Sequence, residues 1–253
     1  MQQFIEFANQ LVDSSAGVIR KYFRNLDKIE TKSDASPVTI ADREAESVLR
    51  NIIKSQYPEH GIHGEEFGIE NPDAEYQWII DPIDGTISFM SGRPTFGTMI
   101  GLLQNGTPIL GIIDQPINHE RWIAAKGEGL IFNGKKASVR KCKNLKSATI
   151  STTAPEYYNS HGLAKLHKLR DESAHILYGG DCYLYALVAC GQLDIALDSG
   201  LKPHDFLPII PIIKEAGGQI TDWQGNELDK NSKGDVIVSG DERVHQEAIS
   251  IIK

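Results

Sequence analysis

Apolar positions recur at spacings of three and four near the start of the chain. Phe4, Ala8, Leu11, Ile19 and Tyr22, with Ser15 among them, form one stripe, and that period predicts a helix. Pro37 and the small polar residues of "TKSDASPVT" end it in a loop. A second helix is expected from about Asp42, with Ala45, Val48, Leu49, Ile52 and Ile53 on one face. "PEHGIHGEEFG" is rich in turn residues and leads into a strand over Gln77–Ile80. From Phe96 the pattern turns to strands: two runs flank Asn105-Gly106, a strong hairpin signal. "ERWIAA" predicts a further strand, and "LIFNGKKASVR" carries a second Asn-Gly. These strands predict an antiparallel sheet packed on the two N-terminal helices. Beyond Lys141 the pattern alternates. "ATIST", "IALD", "GQITDW" and "DVIVSG" predict strands, and "YLYALVACG" and "FLPIIPIIKEAGG" predict helices closed by glycine. Pro208 fits an early helical turn, whereas Pro211 predicts a bend. A last helix is expected near Asp241–Ile252. The expected organisation is an α/β protein of two α+β halves, residues 1–140 and 141–253, sharing one interior.

Composition narrows the classes. The chain has 253 residues, 40% of them hydrophobic, enough for a substantial core. Its formal net charge of -8 argues against a nucleic-acid or anionic-membrane surface. It leaves open an anionic substrate, provided that a metal supplies local positive charge. Cys142, Cys182 and Cys190 are odd in number and lack a Cys-x-x-Cys pair, so neither a disulfide framework nor a zinc ribbon is indicated. The N-terminal stretch lacks a basic leader followed by an apolar run, and no segment approaches the roughly 18 apolar residues that span a bilayer. A reducing cytoplasm is the expected compartment.

The candidate chemistry centres on "WIIDPIDGT". Pro82 and Gly85 exclude Asp81 and Asp84 from a helix interior, so the two carboxylates are expected to flank a tight turn after a buried strand. There they can converge with the Ile83 carbonyl, and such oxygen donors suit a hard cation such as Mg²⁺. Asp and Pro are also ordinary turn residues, so this motif alone also reads as a plain acidic turn. Glu65 and Glu66 lie between glycines in "HGEEFG". Asp42 and Asp205 each stand where a helix begins, a position that equally suits capping. Together these acids and the Gly-Thr fit a metal-dependent phosphate site, in which divalent cations offset the repulsion between hydroxide and a phosphate monoester. Gly85 and Thr86 could hold phosphate oxygens at a helix start. An EF-hand calcium loop is absent.

In these residues the chain resembles the inositol monophosphatase superfamily of Mg²⁺-dependent phosphatases. "GEE", "WIIDPIDGT" and "HDFLPIIPIIKEAGG" match its three signature blocks in order, and the resemblance covers nearly the whole chain. It implies a layered α-β-α-β-α sandwich, a homodimer, and two or three Mg²⁺ per site. The implied metal ligands are Glu65, Asp81, Asp84, Asp205 and the Ile83 carbonyl. The implied water-activating residues are Thr86 and Asp42, with Glu65 also catalytic, and Gly85 and Thr86 donate to phosphate. Lys32 is placed by the same resemblance in a loop near the metals.

Departures from the animal pattern point to the alcohol released. The chain has "TISFMSGRP" after the core motif, His204-Asp205 where Trp-Asp is usual, and "GGDCY" before a helix. With "GIIDQP…ERW" and "GLKPHD", these resemble the histidinol-phosphate phosphatase branch. Asp181, in "GGDCY", and Asp198 are then expected beside the substrate's organic portion, with His204 near the pocket wall. Histidinol phosphate carries an ammonium and an imidazole that carboxylates can pair. Asp181 also suits a cap of the helix near Cys182. The expected activity is Mg²⁺-dependent hydrolysis of L-histidinol phosphate. The alternatives are hydrolysis of inositol 1-phosphate and, in another class, a non-catalytic cation-binding regulator.

Overall fold

The computed structural model describes residues 1–25, 29–31 and 37–253. Lys32 lies outside the described residues. The chain begins with α1 (Gln2–Tyr22), the short pair β1 (Ile29–Thr31) and β2 (Pro37–Thr39), and α2 (Ile40–Gln56). Then come β3 (Gly61–Gly64), β4 (Gly68–Glu70), β5 (Tyr76–Asp84), α3 (Thr86–Met90), β6 (Gly97–Gln104), β7 (Thr107–Gln115), β8 (Glu120–Ala125), β9 (Gly129–Phe132) and β10 (Lys135–Ala137). The remainder forms β11 (Thr149–Thr152), α4 (Ser160–Asp171), β12 (His175–Tyr178), α5 (Cys182–Ala189), β13 (Ile195–Asp198), α6 (Pro203–Phe206), α7 (Ile209–Glu215), β14 (Gln219–Asp222), β15 (Val236–Ser239) and α8 (Glu242–Ile252).

Strands β10-β9-β8-β7-β6-β5-β3-β4 make one sheet and β12-β11-β13-β15-β14 another. Alternation along β5 divides its side chains between two cores. Trp78 and Ile80 join Phe7, Leu11, Leu49 and Ile53 of α1 and α2. Ile79 faces the other way, with residues of α5, α7, β13 and β15. A third cluster joins the far face of the second sheet to α4 and α8, through Leu166, Leu169, Ile195, Ile237 and Ala248. The layers are therefore α1/α2, the large sheet, α5/α7, the smaller sheet, and α4/α8: the α-β-α-β-α sandwich that the resemblance implies.

Several local expectations change. "PEHGIHGEEFG" forms β3 and leads into β4 as well as turning, because β3 gains pairing from β5 in parallel and β4 in antiparallel register. The strand of "WIIDPID" does not stop at Ile80. It runs to Asp84 through a bulge in which Asp81 pairs with Met99 and Asp84 with Gly97. Pro82 is tolerated because the bulge takes its missing N–H out of the ladder. Its carbonyl accepts from Thr98 Oγ1 at 2.9 Å. The helical run is broken not at Pro211 but between α6 and α7, at Leu207 and Pro208, both of which keep helical dihedrals. Pro211 sits in the first turn of α7, where an N–H would have had no intrahelical partner.

Candidate active site

The bulge sets the acids. Ile83 is fully buried against Ile19, Ala41, Ala45, Phe89 and Phe96, a burial worth about 1.5–3 kcal/mol. With that side chain anchored inward, its backbone N–H donates to Asp81 Oδ1 at 3.0 Å. Its carbonyl accepts from Thr86 Oγ1 at 3.3 Å. Gly85 follows with φ +87 and opens α3. A Cβ there would stand 2.6 Å from Asp181 Cγ, so this position needs glycine for both conformation and space.

Two trios of ligand atoms result, each mutually within 4.8 Å: Glu65, Asp81 and His204, and Asp81, Asp84 and Asp205. Asp81 belongs to both. Glu65 follows β3, and its N–H donates to the Ile80 carbonyl of the parallel strand β5. Asp205 comes from α6, where it also closes a capping box by accepting from Lys202 N at 2.7 Å. Burial holds Asp81 well above the ordinary carboxylate range, and Glu65, Asp84, Asp205 and Asp42 push it further. Burial, then Asp181 and Asp205, do the same to Asp84, although the Cys182 N–H bond opposes them. Asp205 is likewise raised, first by burial. Converging oxygens whose charges repel one another are the donor set that a hard divalent cation relieves.

Asp42 combines two readings that the sequence left open. It occupies the third position of α2, and its Oδ2 accepts from Thr39 N at 2.8 Å and Thr39 Oγ1 at 2.5 Å in a capping box. Its Oδ1 lies 3.4 Å from the Thr86 hydroxyl. Burial raises its pKa, against the Thr39 hydrogen bonds.

Glu65, Asp84, Gly85, Thr86 and Asp205 line a cleft of about 370 Å³ together with Thr153, Tyr157, Asp181, Tyr185 and Asp198. Asp181 adopts φ +47 at the start of α5. Its side chain makes no capping hydrogen bond among the described residues; the Cys182 N–H donates to Asp84 Oδ2 instead. The Asp181 carboxylate turns toward α3 and accepts from Ser88 Oγ at 2.6 Å. Burial raises its pKa, opposed by Ser88 and Arg93. Asp198 is 1% exposed. It accepts from Thr152 Oγ1, Thr153 N, Thr153 Oγ1 and Tyr185 Oη at 2.8–2.9 Å. Burial lifts its pKa to about 6 in spite of those donors.

Supporting residues escaped the sequence reading. Glu46 of α2 is fully buried and pairs with Arg50 Nε at 2.7 Å. It also accepts from the N–H groups of Glu66 and Phe67, directly after Glu65. Arg50 continues to Glu70 and to the Gly68 carbonyl. A Cβ on Gly64 would meet Glu46 Oε1 at 2.0 Å, which fixes that glycine. In sequence Glu46 and Arg50 are an i,i+4 pair, a spacing usual on exposed helix faces. Ser88 lay within the noted "TISFMSGRP" but had no stated partner.

Comparison with known proteins shows the family and the fold. A sequence profile described as the inositol monophosphatase family matches residues 1–253. The chain is 44% identical to the bifunctional phosphatase IMPL2, chloroplastic, of Arabidopsis thaliana, over all of this chain and 76% of that protein. It is 34% identical to a histidinol-phosphatase of Chlorobaculum parvum, covering 98% and 96% of the two chains. Among solved structures, an inositol monophosphatase from Zymomonas mobilis superposes with a TM-score of 0.92 at 43% identity, covering 99% and 98%.

Proposed function

The chain belongs to the inositol monophosphatase family and is a phosphoric monoester hydrolase, and from that premise we propose that it hydrolyses L-histidinol phosphate with Mg²⁺. The observation that carries the substrate is the carboxylate of Asp181, turned away from its own helix and into the cleft beside Gly85. One of its oxygens accepts from Ser88; the carboxylate suits a charge-assisted bond to the ammonium or imidazole of histidinol. Asp198 contributes through the hydroxyls of Thr153 and Tyr185 that it orients.

Glu65, Asp81, Asp84, Asp205 and the Ile83 carbonyl would hold the cations. When bound, these neutralise the phosphate, acidify the attacking water and stabilise the departing alcohol oxygen. Thr86 Oγ1 stands between Asp42 Oδ1 and the Ile83 carbonyl. With the Ile83 carbonyl committed to a cation, the hydroxyl would donate to Asp42 alone, which leaves an oxygen lone pair to accept a proton of the water. Glu65, directly after β3, orients the same water. Gly85 and the first N–H groups of α3 receive phosphate oxygens. The proposal includes two or three Mg²⁺ per site, a homodimer and a cytoplasmic location. Among the described residues no helix is long and apolar enough to cross a membrane.

Phosphate release from histidinol phosphate and from inositol 1-phosphate, each with Mg²⁺, tests the reading. A preference for histidinol phosphate of tenfold or more in kcat/KM is expected, roughly one charge-assisted bond. The likeness to the Zymomonas mobilis inositol monophosphatase favours the second reading, and the reverse preference would establish it. A monomer mass in light scattering would remove the dimer.

A further inference from the structure

The two trios that meet at Asp81 are chemically unequal. Asp81, Asp84 and Asp205 offer only carboxylate oxygen, whereas Glu65, Asp81 and His204 include an imidazole nitrogen. His204 has the features of a ligand awaiting a partner. Its side chain is 8% exposed, and its Nδ1 is buried with no hydrogen-bond partner among the described residues. Its Nε2 stands 3.4 Å from Asp205 Oδ1, beyond the usual hydrogen-bond distance. The ring meets His63 edge to face, with centroids 6.2 Å apart. Packing of this kind accounts for the ring's bulk but leaves a buried ring nitrogen unpaired, which is costly. Two donors at about 2.1 Å from a shared ion lie at most about 4.2 Å apart. One nitrogen of the ring and the Glu65 and Asp81 oxygens lie within 4.8 Å of one another, so small side-chain rotations close the set.

Resting on the metal-dependent reading of this site, we propose that His204 is an imidazole ligand to the cation position framed by Glu65 and Asp81. That position then favours Zn²⁺ over Mg²⁺, because imidazole suits Zn²⁺ and Mg²⁺ prefers oxygen; Mn²⁺ serves as its paramagnetic probe. The position framed by Asp81, Asp84 and Asp205 stays all-oxygen.

Pulsed electron paramagnetic resonance of the full chain loaded with Mn²⁺ reads the nitrogen directly. The expected result is a ¹⁴N modulation in the unmodified protein that is lost in His204→Phe and kept in His63→Phe. Calorimetric titration with Zn²⁺ and with Mg²⁺ should show the Zn²⁺-to-Mg²⁺ affinity ratio falling by about tenfold or more in His204→Phe. No ¹⁴N modulation in the unmodified protein, or one that survives in His204→Phe, overturns the proposal. Should His204→Phe fail to fold, His204→Gln, which keeps a polar side chain but no imidazole, takes its place in the comparison. Phosphate release with Mg²⁺ alone tests the phosphatase reading separately. Turnover without nitrogen coupling therefore removes only the role of His204.

Discussion

On the metal side of the cleft, Asp81, Asp84 and Asp205 face one another at ligand distance, and burial and mutual repulsion lift the first two far above the ordinary range. On the alcohol side, Asp198 is at least as deeply buried but takes four donors, and its pKa rises only to about 6. Both regions bury carboxylates. One leaves their charge to be compensated by something added, and the other compensates it from the chain. The first arrangement suits a reacting centre, since electrostatic stress in the free protein becomes affinity for a cation. The second suits a wall that must keep its shape whatever alcohol leaves. Asp181 lies between these extremes, with one strong donor in Ser88 and burial still raising its pKa.

That contrast can be broken most severely at Asp84. Asp84→Asn removes a charge from the all-oxygen trio and weakens the acceptor of the Cys182 N–H. Turnover with Mg²⁺ should fall by about a thousandfold or more, and the rise in melting temperature on adding Mg²⁺ should vanish. Retention of either would detach Asp84 from the metal side. Arg50→Met comes next. It strands the buried Glu46 and should cost about 3 kcal/mol in urea unfolding. It should also raise the Mg²⁺ concentration for half-maximal activity, because Glu46 holds the backbone beyond Glu65. Lost stability with an unchanged Mg²⁺ requirement would make the pair structural only.

Asp181→Asn sharpens the alcohol side. KM for histidinol phosphate should rise by about tenfold, one charge-assisted bond, while KM for an uncharged-alcohol monoester such as glycerol phosphate changes little. Equal effects on both would assign Asp181 to packing. The smallest effect on turnover is expected from Asp198. Its folded pKa, about 6, exceeds the unfolded value of about 3.9, so its contribution to stability is full below about pH 4 and lost as pH rises through about 6. Asp198→Asn should flatten that part of the stability profile, which the gap between about 3.9 and about 6 puts at about 3 kcal/mol, while its neighbouring hydroxyls reorient to keep the network. An unchanged profile from pH 4 to 7 would mean that Asp198 does not titrate there.

Much of the architecture was legible because it rests on local rules. The apolar stripe from Phe4 to Tyr22 became α1. Both Asn-Gly pairs became hairpin turns with positive φ at each residue, since few other residues accept that conformation. Misread elements depended on partners. Short β3 and β4 have weak intrinsic patterns and exist because β5 pairs with β3. The break falls at Pro208 and not at Pro211 because a proline's effect depends on where the helix starts, which the apolar run "FLPIIPII" does not mark.

The sequence by itself determined the chemical repertoire. Asp81, Asp84 and the Ile83 carbonyl sit within four residues, and a proline and a glycine exclude a helix there. Asp42, Glu65 and Asp205 stand at element boundaries, where side chains can leave the regular lattice. Only the tertiary structure decided which groups meet and how their charges are answered. It joined His204 to Glu65 and Asp81, turned Asp181 from its own helix to Ser88, sealed Asp198 among hydroxyls, and buried Glu46 with Arg50 beneath the Glu65 loop. The reason is physical. A residue's type fixes what it can donate, accept or ligate, but burial and long-range partners set whether that capacity is spent inside the fold or left for a ligand.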